Sequence, residues 1–264
     1  MSGSKTEAAL TVEEVPAPGP LPRYEIPGWR EELGVVAGIT GRGTDPDPGF
    51  DLGLWTDQPV SSVMGRWREF RRAEPAFHAT VMAHQVHGPK VLWHDSASGW
   101  TILEGADGHA TGTPGVMLAV TVADCVPIYL VDPVRRAVAL LHAGWRGTAA
   151  GILRRGIGLL ETRVVSRVEN LVMHMGVAIC GQCYEVGDEV LMACGQPVPA
   201  NRPYRIDLRE VLRAQAIRLG VEKISTSRFC SAHDGHLFFS HRASGGRGGR
   251  MVAYVGMLPG RGRS

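Results

Sequence analysis

Three separated segments of this chain each carry a side chain that binds borderline or soft metals: His84-Gln85-Val86-His87-Gly88, Ala123-Asp124-Cys125 and Leu141-His142-Ala143-Gly144-Trp145-Arg146-Gly147. Each lies at the end of an apolar, strand-like run, so a folded sheet can bring two imidazoles and one thiolate together at its edge. Either His84 or His87 can supply the first imidazole. Three protein ligands leave one position of a zinc tetrahedron open, the mark of a catalytic site, because water, phosphate or substrate takes the fourth place. Zn²⁺ so held would have Zn–N distances of about 2.0 to 2.1 Å and Zn–S of about 2.3 Å, and would lower the pKa of a bound water towards about 7. The same ion could hold phosphate.

Other chemistry is open to the same residues. Cys125 could act as a nucleophile with His87 or His142 as its base, as in a cysteine-dependent amidase or deamidase, or be a buried thiol without function. A copper-dependent polyphenol oxidase would use several coppers and many imidazoles. The ten histidines here include no His-x-His pair, which favours zinc over copper. The five cysteines are an odd number without a secretory signal, so reduced thiols are expected rather than a disulfide framework. Cys180-Gly181-Gln182-Cys183 is a lone CxxC, without the second CxxC or HxxxH of a zinc finger and without a thioredoxin-like surround, and reads as buried thiols. His233 and His236 form a His-x-x-His read as hydrogen-bonding or solvated.

The elements that must position the trio follow from periodicity. Short apolar runs at Val35–Ile39, Val116–Val122, Val126–Val131, Ala137–His142 and Leu171–Val177 predict buried strands, and Phe77–Val86 and Val91–His94 read as extended. Val60–Arg72 predicts an amphipathic helix. After His142, Ala149, Ile152, Leu153, Gly156, Ile157 and Leu160 recur at helical spacing, so a helix begins near Arg146. A helix N-terminus there would favour an anion. Tyr184 is expected to open another helix running to about Cys194, and Asp207 with Glu210 predicts a capped helix over Val211 to Leu219. Val221–Thr226, Leu237–Phe239 and Met251–Met257 read as closing strands. Helices and strands do not alternate strictly, which points to α+β with mixed β-sheets flanked by helices rather than a doubly wound parallel fold.

Composition bounds the rest. With 264 residues, 44% hydrophobic and 20% charged, the chain can bury one substantial core. Residues 1–23, with Pro16, Pro18, Pro20 and Pro22 at alternate positions, are expected to be a flexible leader, followed by one catalytic domain over 24–264. The net charge of +2 gives no reason to expect nucleic acid, despite the local run Arg247-Gly248-Gly249-Arg250. No secretory signal and no apolar run of about 18 to 20 residues is present, so a cytoplasmic protein without membrane contact is expected. Nothing in the sequence demands an obligate protein partner.

Gln85-Val86-His87-Gly88, Ala106-Asp107 with Thr111, Ala123-Asp124-Cys125-Val126-Pro127 with Asp132-Pro133, His142-Ala143-Gly144-Trp145-Arg146-Gly147, Cys183-Tyr184-Glu185-Val186-Gly187 and Phe239-Ser240-His241-Arg242 closing at Gly249-Arg250 occur in this order. Together, over about Gly34 to Met257, they resemble the laccase-domain family, also called the multicopper polyphenol oxidase or purine nucleoside phosphorylase family of YfiH and YlmD type. The resemblance implies a single α+β domain with mixed sheets, described beside bacterial toxin deamidases of the CNF1 type. It selects His87, Cys125 and His142 as metal ligands. It implies phosphorolysis of adenosine, inosine and methylthioadenosine to free purine and ribose 1-phosphate, with adenosine deamination beside it, and the older laccase label reflects copper-dependent oxidation of phenols.

On that reading the partners are a purine nucleoside and phosphate. Arg146 is the candidate phosphate clamp and Arg242 a second, because a guanidinium grips phosphate through two parallel hydrogen bonds. Asp124 is expected either to orient a ligand histidine or to act as a base. Gln85, Ser240 and Arg250 complete the candidate substrate-binding set; Gln85 could instead orient its loop, and Asp107 and Ser240 could equally stabilise turns. The chain departs from the family pattern at Gly176 to Val186, which carries Cys180-Gly181-Gln182-Cys183, at Asp51-Leu52-Gly53 in place of Asn-Leu-Gly, and at Ser240-His241-Arg242-Ala243 in place of Ser-Tyr-Arg-Arg. Gly245-Gly246-Arg247-Gly248-Gly249 leaves the loop before Arg250 unusually free.

Overall fold

In a computed structural model, residues 10–44 and 49–260 are described. In chain order they form β1 (Leu10–Val12), β2 (Val15–Pro16), β3 (Arg23–Glu25), β4 (Val35–Thr40), α1 (Val60–Arg72), β5 (Ala79–His84), β6 (Val91–His94), β7 (Gly99–Glu104), β8 (Gly108–Thr111), β9 (Val116–Val122), β10 (Val126–Asp132) and β11 (Ala137–Ala143). Then come α2 (Trp145–Ala149), α3 (Ile152–Val164), β12 (Val172–Met175), β13 (Glu185–Val186), α4 (Asp188–Ala193), β14 (Tyr204–Arg205), α5 (Leu208–Leu219), β15 (Lys223–Ser227) and β16 (Met251–Met257).

Two seven-stranded mixed sheets carry the fold, in the orders β1-β15-β12-β10-β11-β8-β6 and β2-β3-β4-β16-β9-β5-β7. Their side-chain alternation shows why the sequence has continuous apolar runs. On β9, Val116, Leu118, Val120 and Val122 enter the core between the sheets, while Met117 and Ala119 face the core under α1. On β11, Val138 and Leu140 face the other sheet, and Ala139, Leu141 and Ala143 pack in the core that includes α3 and α5. A strand covered on both faces needs apolar residues at every position rather than at alternate ones. The result is helix, sheet, sheet, helix in layers, the mixed-sheet α+β architecture expected.

Several boundaries differ from expectation. Leu10–Val12 pairs in parallel with β15 and Val15–Pro16 with β3, so the described part of the expected flexible leader is bound to the sheets. Its proline content did not prevent pairing, because Pro16 belongs to β2 at the end of its sheet, where a missing N–H is tolerated; residues 1–9 lie outside the described residues. Glu185-Val186 is a strand paired with Tyr204-Arg205, which delays the helix expected from Tyr184 until Asp188. Leu237–Phe239 is not a strand: Leu237 and Phe238 both donate N–H groups to Asp234 O, closing a turn. The helix after His142 is broken into α2 and α3 at Gly151, φ 79°. Asp207 does cap α5, accepting from Arg209 N. No helix among the described residues is long and apolar enough to cross a membrane.

Close approach of β3 and β4 depends on Gly38, where a Cβ would run into the Tyr24 carbonyl and lie 2.8 Å from the Tyr254 hydroxyl. Gly38→Ala should therefore lower stability by about 1–3 kcal/mol, seen as a lower thermal unfolding midpoint. An unchanged midpoint would contradict this packing.

Candidate active site

Strand register builds the site. Cys125 occupies the three-residue step Ala123-Asp124-Cys125 by which the chain leaves β9 in one sheet and enters β10 in the other. The antiparallel register of β10 and β11 pairs Val126 with Ala143 and Pro127 with His142, which sets Cys125 beside the end of β11. β8 pairs with β11 so that Gly108 faces Leu141, which carries Asp107 to His142. The loop after β5 brings His87 to the same place. Gly144 makes room: a Cβ there would lie 3.0 Å from Cys125 Sγ and 3.1 Å from His87 Cδ2.

Asp107 holds these pieces together. Its carboxylate, fully buried, accepts backbone N–H groups from Val86 (3.1 Å), His87 (2.8 Å) and Gly88 (2.8 Å). Oδ1 also meets His142 Nδ1 at 2.9 Å, and its backbone oxygen accepts His142 N at 2.7 Å. One side chain thus shapes the His87 loop and turns the other ring nitrogen, Nε2, of His142 towards the thiol. Burial pushes the Asp107 carboxyl up, but the hydrogen bonds from His142, Gly88 and Val86 outweigh it and leave the carboxyl below its ordinary value. His87 is held at φ 60° and Asp124 at φ 87°, left-handed conformations uncommon for non-glycine residues.

The metal-binding atoms of His87, Cys125 and His142 all lie within 4.8 Å of one another. The two rings meet edge to face, with centroids 4.8 Å apart. Burial pushes the Cys125 thiol up, but the charge and hydrogen bond of His142, aided by His87, overcome this and bring it down to about 6. Reciprocally, burial opposes the charged form of His142, while the Cys125 charge and the Asp107 hydrogen bond raise it to about 9. With no metal ion between them, each of the two groups favours the charged form of the other. Two imidazoles and a thiolate, ordered by a buried carboxylate behind one of them, are a donor set suited to zinc.

The trio faces a cavity of about 450 Å³, within the range that holds a small ligand. Arg146, Arg242 and Arg250 line it, as do Gln85, Asp124, Trp55, His84 and Tyr184. Arg146 projects from α2 with its guanidinium 4.2 Å from the Trp145 ring centroid. The anion site expected from a helix N-terminus is weak, since α2 has five residues and a short dipole; the guanidinium itself remains. Arg242 stacks on Tyr184 at 5.2 Å and donates Nη1–H to Glu185 O. Arg250 donates from its backbone to Asp51 Oδ1, which also accepts Gly53 N. The Asp51 carboxylate therefore ties the arginine-bearing loop to the Gly53 turn.

Three expectations change. The carboxylate that orients a candidate ligand histidine is Asp107, not Asp124. Asp124 accepts Ser231 Oγ at 2.6 Å and Arg242 N at 2.6 Å, and its backbone oxygen accepts Ile179 N, so it fastens the Cys125 step to two other loops. Ser240 is buried outside the cavity lining, its Oγ accepting Ala243 N, and caps a turn instead of facing substrate. Gln85 lines the cavity, but both ends of its amide are engaged by Thr121, whose N–H and hydroxyl donate to Oε1 while Thr121 O accepts Nε2. Its local task is to clamp the β5 and β9 ends. His84 stands apart from the trio, stacked on Trp55 with centroids 4.6 Å apart and paired with Glu104.

Of the aromatic rim of Trp55, His84 and Tyr184, only Trp55 lay outside every segment the sequence singled out; His84 and Tyr184 were in named motifs but not expected at a rim. Trp55 lies in a loop whose distance from Cys125 is invisible in one dimension. The available signal was a tryptophan outside every predicted helix and strand, since loops carry a disproportionate share of binding residues.

Residues 36–258 match the family described as multi-copper polyphenol oxidoreductase laccase. A purine nucleoside phosphorylase YlmD of Geobacillus stearothermophilus is 36% identical over 248 residues, covering 84% of this chain and 90% of that protein. An adenosine deaminase RL5 from an unknown prokaryotic organism is 38% identical over 165 residues, covering 58% of this chain and 63% of its own length. The crystal structure of YlmD from Geobacillus stearothermophilus superposes with a TM-score of 0.84 at 32% identity, covering 93% of this chain and 100% of that one.

Two measurements probe the site. Asp107→Asn keeps the shape but loses the charge and one acceptor arrangement, so metal affinity at the trio should fall by roughly 10- to 100-fold, measured by competition with a chromogenic chelator; unchanged affinity would remove Asp107 from the account. In metal-free protein, alkylation of Cys125 should follow an apparent pKa of about 6, the rate rising as pH passes upward through that value as the thiolate forms. A midpoint at the ordinary thiol value would mean that His142 does not hold the charge.

Proposed function

The chain belongs to the multi-copper polyphenol oxidoreductase laccase family, and on that footing we propose that it is a zinc-dependent purine nucleoside phosphorylase. It would convert adenosine, inosine or methylthioadenosine and phosphate to free purine and the sugar 1-phosphate, with adenosine deamination as a second activity, in the cytoplasm. The observation that carries the reading is a trio of zinc-type donors opening onto a cavity whose lining includes three arginines. The names of the relatives, phosphorylase and deaminase, support both activities.

His87, Cys125 and His142 would hold the ion, His142 through Nε2 because Nδ1 faces Asp107. When bound, zinc supplies Lewis acidity for an anionic or water oxygen in its open position. The chain's own residues do the positioning. Arg146, kept extended over Trp145, and Arg242, kept over Tyr184, would grip the phosphate. Trp55 and Tyr184 offer aromatic faces to a purine. In the step itself a phosphate oxygen bonds to the anomeric carbon as the glycosidic bond breaks. The bonding pair leaves with the purine nitrogen, which takes up the proton that phosphate gives up. Bringing nucleoside and phosphate together in one cavity removes much of the entropic barrier to a reaction between them.

A second reading rests on Cys125, His142 and Asp107 as a thiolate, imidazole and carboxylate in hydrogen-bonded series, the arrangement of a cysteine-dependent amidase or deamidase. Copper-dependent phenol oxidation has less support: two imidazoles and a thiolate could hold a single copper, but the ten histidines include no His-x-His pair of the kind a multicopper cluster would use. Purine release from adenosine that requires both phosphate and zinc, and is abolished in Cys125→Ala together with zinc at the trio, is the expected result. Arg146→Ala should keep the metal and raise the KM for phosphate roughly tenfold or more, the loss of one charge-assisted contact of about 1.5–3 kcal/mol. Amide hydrolysis by metal-free protein, with no phosphate-dependent purine release, would favour the cysteine reading.

A further inference from the structure

Away from the cavity, a second group of soft donors converges. The metal-binding atoms of Cys180, Cys183, Cys230 and His233 all lie within 4.8 Å of one another. The His233 ring sits between two of the sulfurs, with Nδ1 3.6 Å from Cys180 Sγ and Nε2 3.1 Å from Cys183 Sγ. The four come from two short turns, Cys180-Gly181-Gln182-Cys183 and Cys230-Ser231-Ala232-His233, each with two residues between ligands. That spacing lets one turn present two donors to one ion. The lone CxxC of the sequence is therefore half of a C-x-x-C and C-x-x-H pair whose halves are separated by 46 intervening residues, Tyr184 to Phe229; Cys180 and Cys183 are only partly buried, and His233 is exposed and hydrogen-bonded, as expected of it, with the two sulfurs as its partners.

Backbone contacts fasten the two turns. Ala178 forms a parallel bridge with Cys230, and Ser231 N donates to Ala178 O at 3.1 Å. Cys183 N and Tyr184 N both donate to Cys180 O, closing the first turn. Cys230 N donates to Asp234 Oδ2 and Asp234 N to Cys230 O, closing the second and bringing His233 back over the sulfurs. Cys180 N donates to Cys230 Sγ at 3.3 Å, a contact that favours a charged sulfur. A Cys180–Cys183 disulfide would use two of the four donors and leave Cys230 and His233 without a purpose.

We propose that Cys180, Cys183, Cys230 and His233 form a second metal site, a closed Cys₃His centre that takes zinc in a structural role. Four protein donors fill a zinc tetrahedron, leaving no position for substrate. None of the four lines the cavity at the trio. The centre braces the cavity wall. Ile179 and Tyr184 flank its first turn and line the cavity, and Ser231 in its second turn donates to Asp124 beside Cys125.

The test is metal stoichiometry in the full-length chain produced with zinc supplementation and measured by plasma mass spectrometry. Wild type should carry about two zinc per chain and Cys183→Ser and His233→Ala about one each. A Cys125→Ala/His142→Ala variant should also keep about one, which separates this centre from the trio. Wild-type metal content in Cys183→Ser and His233→Ala, or no zinc at all in the trio variant, would overturn the proposal. If the variants fail to fold, wild type decides: Cys180 and Cys183 should resist iodoacetamide until a chelator strips the zinc, as mapped by peptide mass spectrometry. Equal labelling with and without chelator would overturn it.

Discussion

The site depends on one buried carboxylate. Asp107 has no exposed surface, yet its two oxygens serve three successive backbone N–H groups and one imidazole. A charge so placed is tolerable only because each contact is a donor directed at it. The same contacts hold His87 in a left-handed backbone conformation and fix which nitrogen of His142 faces Cys125. Removing the carboxylate would free a loop, a ring and a tautomer together.

Around that anchor, the two sheets supply rigidity. Cys125 occurs where the chain crosses from one sheet to the other, and its neighbours on both sides are buried strands. Sites carried on strand ends are held more tightly than sites on free loops. The rest of the cavity lining, the loops bearing Trp55 and Arg242 and the short helix α2 bearing Arg146, surrounds a floor built on strand ends. This division suits a reaction in which donors must be preorganised while a nucleoside and an anion enter and leave.

The proposed Cys₃His centre extends the same logic outward. Asp124 accepts Ser231 Oγ and Arg242 N, so the Cys125 step, the turn at Cys230 and the arginine-bearing loop share one fastening. A structural ion at Cys180, Cys183, Cys230 and His233 would stiffen a wall that little regular structure supports, since β13 has two residues and α4 six. One ligand set opens to the cavity and the other closes on itself.

Periodicity and residue type alone gave the sequence reading its firm parts. Val60–Arg72 and Val116–Val122 are the elements expected, because an apolar stripe of period 3.6 and a doubly covered strand leave clear one-dimensional patterns. The candidate trio was legible for the same reason: each member follows an apolar run, and strand ends collect at a sheet edge. What only the tertiary structure decided was which polar residues meet. Asp107 against the His87 loop, Asp124 against Ser231 and Cys183 beside His233 are matters of register and loop return, contacts between residues 19, 107 and 50 apart in the chain. Local sequence records what a side chain can do; burial and pairing between distant strands, which no short window contains, determine what it does.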